Sequence, residues 1–137
     1  KDVSQGEILI CEGYATGASL HMATEKPVAV ALDSGNLEPV AKALREKFPQ
    51  AQITICADND HALKRNGKPY NVGMEKAKAA ALAVGGKVAA PVFNEEEKAK
   101  GLTDFNDLHK SRGIKEVQKQ VGLSLLHDQG KTRELSL

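Results

Sequence analysis

Two carboxylates spaced two apart, Asp58 and Asp60, stand just where the apolar run Ile53-Thr54-Ile55-Cys56 ends. In an extended chain, side chains two residues apart point the same way, so this pair can aim at one ion. The competing reading is a turn, because Asp and Asn end strands and cap helices. Other acids fall at comparable places. Glu12 follows the run EILIC at 7–11, and Asp33 follows VAVAL at 28–32. Asp104 and Asp107 come after KVAAPVF at 87–93, past a loop. Clustered carboxylates repel one another and persist with a counter-charge. Magnesium is the natural one, since it takes oxygen ligands, keeps several waters and binds one or two carboxylates together with substrate phosphates. Two aspartates with a glutamate nearby also suit a two-ion phosphoryl-transfer site. Asp33 reads rather as a cap or turn residue, and His21, His61 and His109 as surface or packing residues.

The acids are useful only if the chain brings them together, and its patterning says how. Four apolar runs, at 7–11, 28–32, 53–57 and 87–93, alternate with helical segments. YATGASLHMAT is the first helix. Asn36 is placed to cap a second, over LEPVAKALREKF, with Leu37, Val40, Leu44 and Phe48 on one stripe. A third runs over 72–84, with Met74, Ala77, Ala81 and Val84 on one face and Gly85-Gly86 ending it. The segment DNDHALKRNGKPYN reads as a long polar loop, and NEEEKAKG as a solvated one. TDFNDLHKSRG reads as a turn entering a short helix, and IKEVQKQVG as a last helix. Strands joined by helices of this length are βαβ units, and near-continuous apolar runs fit a parallel sheet covered on both faces. The expected fold is α/β, doubly wound, with a mostly parallel four-stranded sheet. In such folds ligands bind beyond the carboxyl ends of the strands. With strand order 2-1-3-4, winding reverses between runs one and three, and Glu12 and the Asp58/Asp60 pair flank that point.

The 137 residues suit one domain with a core of its own. Residues 1–112 are the expected domain, with 113–137 a C-terminal helix and a flexible tail. The opening Lys in place of Met reads as the mark of a piece of a longer protein. A net charge of +1 gives no global basic field, so nucleic-acid contact needs a local patch. Aromatics at 4% and the absence of Trp weigh against a surface that grips single strands on a row of rings. No apolar run approaches a membrane span, and no signal peptide heads the chain. Cys11 and Cys56 have no CxxC spacing and read as small buried hydrophobes of a reducing cytoplasm. DNDHALKRNGKP fails as an EF-hand, with Leu63 at the sixth position and Pro69 at the twelfth. GYATGAS lacks the ending of a phosphate loop, and neither GxGxxG nor GxSxG occurs.

ILICEGYATGASL, then ADND, then DFNDL, resembles a TOPRIM domain, the Rossmann-like catalytic module shared by topoisomerases and bacterial-type primases. The family pattern is Glu-Gly after the first strand and Asp-x-Asp after the third, matched here by Glu12-Gly13 and Asp58-Asn59-Asp60 over residues 7 to about 112. The wording EGYATGASLH with DFNDLH is similar to the primases of plasmids and phages. The resemblance implies a metal-dependent nucleotidyltransferase making RNA primers on single-stranded DNA from nucleoside triphosphates, often fused to a helicase or a conjugative relaxase. It implies Glu12, Asp58 and Asp60 as catalytic residues and ligands of Mg²⁺ or Mn²⁺, with Asp104 and Asp107 as further ligands. Gly13 and the basic loop residues Lys64, Arg65 and Lys68 would meet nucleotide or template phosphate. Asn71-Val72-Gly73 stands in for the glycine-rich helix start that follows more closely in replicative primases. A TOPRIM nuclease, a topoisomerase module (whose tyrosine nucleophile lies on another domain) and a non-catalytic TOPRIM binding module are the alternatives.

Overall fold

The computed structural model describes residues 6–61 and 64–122. Side chains along β1 (Glu7–Cys11) alternate between two cores, Leu9 and Cys11 on one side and Ile10 on the other. β3 (Gln52–Cys56) behaves alike, with Cys56 joining the first core and Ile53 and Ile55 the second. These two strands lie side by side and in register from Glu7↔Gln52 to Cys11↔Cys56. The shorter β2 (Val28–Val30) pairs with the outer side of β1, and a strand over Lys87–Ala89, labelled β6, with the outer side of β3. All pairings are parallel, in the order β2-β1-β3-β6, as the acid placement requires.

Each face of the sheet carries helices. α1 (Tyr14–Thr24) and α5 (Phe105–Arg112) cover the first core through Leu20, Phe105 and Leu108, and helical residues 114–122 add Val117 and Val121. α2 (Leu37–Lys47) and α3 (Val72–Val84) cover the second through Leu37, Ala41, Ala77 and Ala81. The apolar stripes read from the sequence are the faces these helices bury. α1 sits tightly because position 17 has no side chain: a Cβ on Gly17 would come 2.8 Å from Val30 Cγ2 and 3.3 Å from Cys11 Sγ.

Three local expectations change. Asn36 does not cap α2; its Nδ2 donates to the Ala31 carbonyl, while the Asp33 carboxylate accepts from the Gly35 amide and starts a 3₁₀ turn at Ser34–Asn36. The polar loop after Asp60 contains a small hairpin, β4 (Lys64–Arg65) against β5 (Lys68–Pro69). Its turn residues Asn66 and Gly67 have φ of 54° and 77°, the left-handed pair that a tight hairpin turn needs. The NEEEKAKG segment is a short helix, α4 (Glu95–Ala99), closed by a capping box between Asn94 and Glu97. Glu97 is buried rather than solvated. It takes Arg112 in a forked pair, with Nη2 at 2.7 Å and Nε at 2.9 Å, and the Ser111 hydroxyl at 2.6 Å. The expected tail beyond Ser124 lies outside the described residues.

Candidate functional site

The ladder between β1 and β3 ends at Cys11 and Cys56, so the residues just beyond emerge together at the carboxyl edge of the sheet. Glu12 is held from the β2 side. Its carbonyl accepts the Leu32 amide at 2.7 Å, and its Oε1 accepts the Ser34 amide at 3.0 Å. From β3, Ala57 continues the pairing to Ala89 at 2.7 Å and delivers Asp58 opposite Glu12. Burial, then a hydrogen bond and charge from Glu12, and then the charges of Asp104 and Asp60, push the Asp58 carboxyl up to about 8. Its Oδ1 is buried and meets no hydrogen-bond donor. The Cys11 thiol lies beneath the same group. Burial first, and then the charges of Asp58, Asp104 and Glu12, push it up to about 12.

Asp60 is fixed from α3. Its Oδ2 accepts the Gly73 amide at 2.7 Å, and its own amide donates to Asn71 Oδ1 at 2.8 Å. Asn71 Oδ1 also caps α3 by accepting the Met74 amide, and Asn71 Nδ2 donates to Asn59 Oδ1 at 2.7 Å. Asn59 in turn donates through Nδ2 to the Pro91 carbonyl at 2.9 Å. The whole Asp-x-Asp turn is thus clamped between α3 and the segment after β6. Gly73 lies in the first turn of α3, and its amide is used by Asp60. A Cβ there would lie 2.5 Å from the Asp58 carbonyl oxygen and 2.7 Å from Asp60 Oδ2. The sequence reading has Asn71 only as part of Asn71-Val72-Gly73 and misses its capping role, although an Asn immediately before an apolar helical stripe is a cap signal.

Asp104 and Asp107 form the capping box of α5. Asp104 Oδ1 accepts the Asp107 amide at 2.7 Å, while Asp107 Oδ2 accepts the Thr103 and Asp104 amides. Asp104 also faces the cluster. Its carboxyl is raised by burial, against the pull of the Asp107 amide and of a hydrogen bond from buried Thr16. Thr16, a second residue missed, belongs with Ser19 to a buried polar seam between α1 and α5. Ser19 Oγ lies 2.9 Å from His109 Nδ1 and 3.3 Å from Asn106 Oδ1. His109 is therefore a packing residue, as is His61, 2.7 Å from the Leu102 carbonyl, whereas His21 is an exposed surface residue 2.8 Å from the Lys26 carbonyl.

Glu12, Asp58, Asp60 and Asp104 are the acids that act on one another here, and Asp107, while serving the start of α5, adds its charge to Asp104. Among the described residues, no three His, Cys, Asp or Glu side chains close into a ready ligand cage. The donor set nevertheless fits a hard divalent cation that keeps part of its water. It is all oxygen, and it includes a buried carboxylate oxygen without a donor. Lys64 and Arg65 on β4 and Lys68 on β5 belong to the hairpin that leaves from Asp60 and returns at Asn71, so it springs from the rim of the cluster. At the opposite rim, nothing stands within 4 Å of where a Cβ on Gly13 would be.

A family model described as Toprim domain matches residues 7–115. Two curated proteins, both named DNA primase TraC and both from Escherichia coli, are similar to the chain. One is 48% identical over 91 residues, which is 66% of this chain and 6% of that protein. The other is 42% identical over 92 residues, or 67% of this chain and 9% of that protein. The chain therefore spans less than a tenth of either relative. No solved structure matches it.

Proposed function

Because the chain belongs to the Toprim domain family, we propose that it is the metal-dependent nucleotidyltransferase domain of a DNA primase, of the plasmid, conjugative or phage type. The observation that carries this reading is the buried, partnerless Asp58 Oδ1 in the company of Glu12, Asp60 and Asp104. The likeness to two DNA primases supports the choice of primer synthesis over nuclease or topoisomerase chemistry.

In this reading Asp58, Asp60 and Glu12 would hold Mg²⁺ or Mn²⁺, with Asp104 alongside. Bound there, the cation would neutralise charge that grows on the α-phosphate as a primer 3′-hydroxyl attacks it, where stabilisation helps the rate most. The protein's own share is positioning and proton transfer. The Ser34 amide fixes one oxygen of Glu12, so the carboxylate is oriented to take the proton of the attacking hydroxyl. The Gly73 amide fixes Asp60 in the same manner. Lys64, Arg65 and Lys68 provide positive charge for triphosphate or template backbone. Single-stranded DNA and nucleoside triphosphates are the partners, with a helicase or a relaxase as fused or associated modules and the cytoplasm as the place of action.

Isothermal titration tests the site. Mn²⁺ or Mg²⁺ should bind the chain, and the double variant Asp58→Asn, Asp60→Asn should lose the binding. Unchanged affinity in the double variant would sink the metal-site reading.

A further inference from the structure

The chain has five aromatic rings, three Phe and two Tyr. Phe93 and Phe105 are core residues, half-buried Phe48 carries the Lys47 ammonium over its face, and Tyr70 is half-buried. Tyr14 alone is largely open to solvent, at 79%. It is the first residue of α1, two positions after Glu12 and separated from it only by the uncrowded Gly13. Leu32 is likewise open, at 75%. It is held in the left-handed region, at φ 73°, by the bond from its amide to the Glu12 carbonyl. A leucine is a poor residue for that conformation, and strain of this kind gathers at functional sites. Two large apolar side chains are therefore presented to water by residues that adjoin Glu12, Tyr14 along the chain and Leu32 through its backbone bond. From Tyr14 a groove of about 390 Å³ runs between α1 and the edge strand β2, lined by Gly17, Ala18, His21, Val28 and Val30. That volume lies within the ~300–1,000 Å³ of small-molecule sites.

We infer that Tyr14 stacks on a single nucleobase of the strand or nucleotide whose phosphate is handled at Glu12 and Asp58. The inference rests on the nucleotidyltransferase reading and names a contact within it. Its argument is complementarity in sequence of parts. A nucleotide places a flat apolar base beside a charged phosphate. Here an exposed ring opens the helix that leaves the strand end carrying Glu12, with one side-chain-free residue between them in the chain. One ring is no platform for a run of bases, so the scarcity of aromatics is respected. It holds one base at the reaction end, and does so without regard to base identity, because every base offers a π-face.

The test is binding of a fluorescein-labelled oligodeoxythymidylate by anisotropy at low salt in Mg²⁺, beside a strand of equal length whose sugars carry no bases. Tyr14→Ala should weaken the thymidylate strand about 5- to 160-fold, the range that corresponds to one stacking contact. Tyr14→Phe should keep wild-type affinity. On the abasic strand wild type and Tyr14→Ala should bind alike. Equal binding of the thymidylate strand by wild type and Tyr14→Ala overturns the proposal. So does a loss of the same size on both strands, which would mean a backbone contact or a damaged fold, and so does a wild type that binds neither strand. Calorimetric Mg²⁺ binding by Tyr14→Ala keeps the two claims apart. Intact metal binding that depends on Asp58 and Asp60, alongside failed stacking, removes the base contact and leaves the catalytic reading standing.

Discussion

Asp58 is the residue on which the chemistry and the stability of the chain oppose each other. Its carboxyl is pushed up to about 8 in the fold, first by burial and then by Glu12, whereas an unfolded Asp titrates near ~3.9. Between those values the folded chain holds a proton that the unfolded chain has released. In chelator, stability must therefore fall as pH rises from about 4 to about 8, and the loss is complete above the folded value. Asp58→Asn removes that dependence. At pH 8.5 in chelator it should unfold at higher urea than wild type, by about 1–2 kcal/mol, a figure kept below the full linkage value because solvent screens part of the site. At pH 4 the two should be alike. A variant no more stable than wild type at pH 8.5 would mean that the acids do not crowd. The same crowding reaches the Cys11 thiol, which burial and then the charges of Asp58, Asp104 and Glu12 push up to about 12, so without a cation it stays protonated at neutral pH.

At the scale of elements, the sequence was most readable where one period dominated. The strands β1 and β3 and the α3 span of Val72–Val84 follow from continuous apolar runs and helical stripes, and the strand order is the one under which Glu12 and the Asp58/Asp60 pair flank the switch point. Short elements held by side chains were not readable that way. The hairpin of β4 and β5 has one turn and almost no apolar surface, and its signal was only Asn66-Gly67 in a polar stretch. α4 is short and largely charged, and it exists because Asn94 and Glu97 cap each other while Glu97 grips Arg112. The site shows the same division. Glu12, Asp58 and Asp60 announce themselves by type and strand end, whereas the bond of Thr16 to a residue some 90 positions away and that of Asn71 to the Asp60 amide 11 positions back are recorded by no local pattern. The α4–α5 pair has a measurable consequence. Arg112, then Ser111, holds the Glu97 carboxyl down to about 2, against ~4.3 unfolded. Its contribution is whole above the unfolded value and is lost as pH falls from about 4 towards 2. Urea midpoints of Glu97→Gln should therefore fall less steeply over that window than those of wild type; identical slopes would show that the pair does not titrate with folding.

Across the whole molecule, the fold works as a convergence device. Glu12, the 58–60 turn and Asp104 are far apart in the chain and meet because β1 and β3 lie side by side with helices folded back over both faces. Two cores flank the sheet, and among the described residues no helix is long and apolar enough to cross a membrane. Net charge is close to zero, so the nucleic-acid contact proposed above calls for local features rather than a general field.

The amide of Gly73 belongs at once to the first turn of α3 and to a carboxylate of the cluster. Whatever steadies Asp60 must therefore steady the beginning of α3, which packs on α2 across the second core. Occupancy and local opening then draw on the same free energy, growing as RT ln(1 + [L]/Kd), so that ~100 Kd of free cation adds about 2.7 kcal/mol against any opening that releases Asp60. In amide hydrogen exchange, Gly73 and Met74 should slow by up to about a hundredfold on addition of Mn²⁺ or Mg²⁺. Amides near Ala99, on the far side of α5, should change only as far as global unfolding does. Uniform slowing of both regions would mean that the cation stabilises the chain as a single unit, with no hinge of motion at the start of α3.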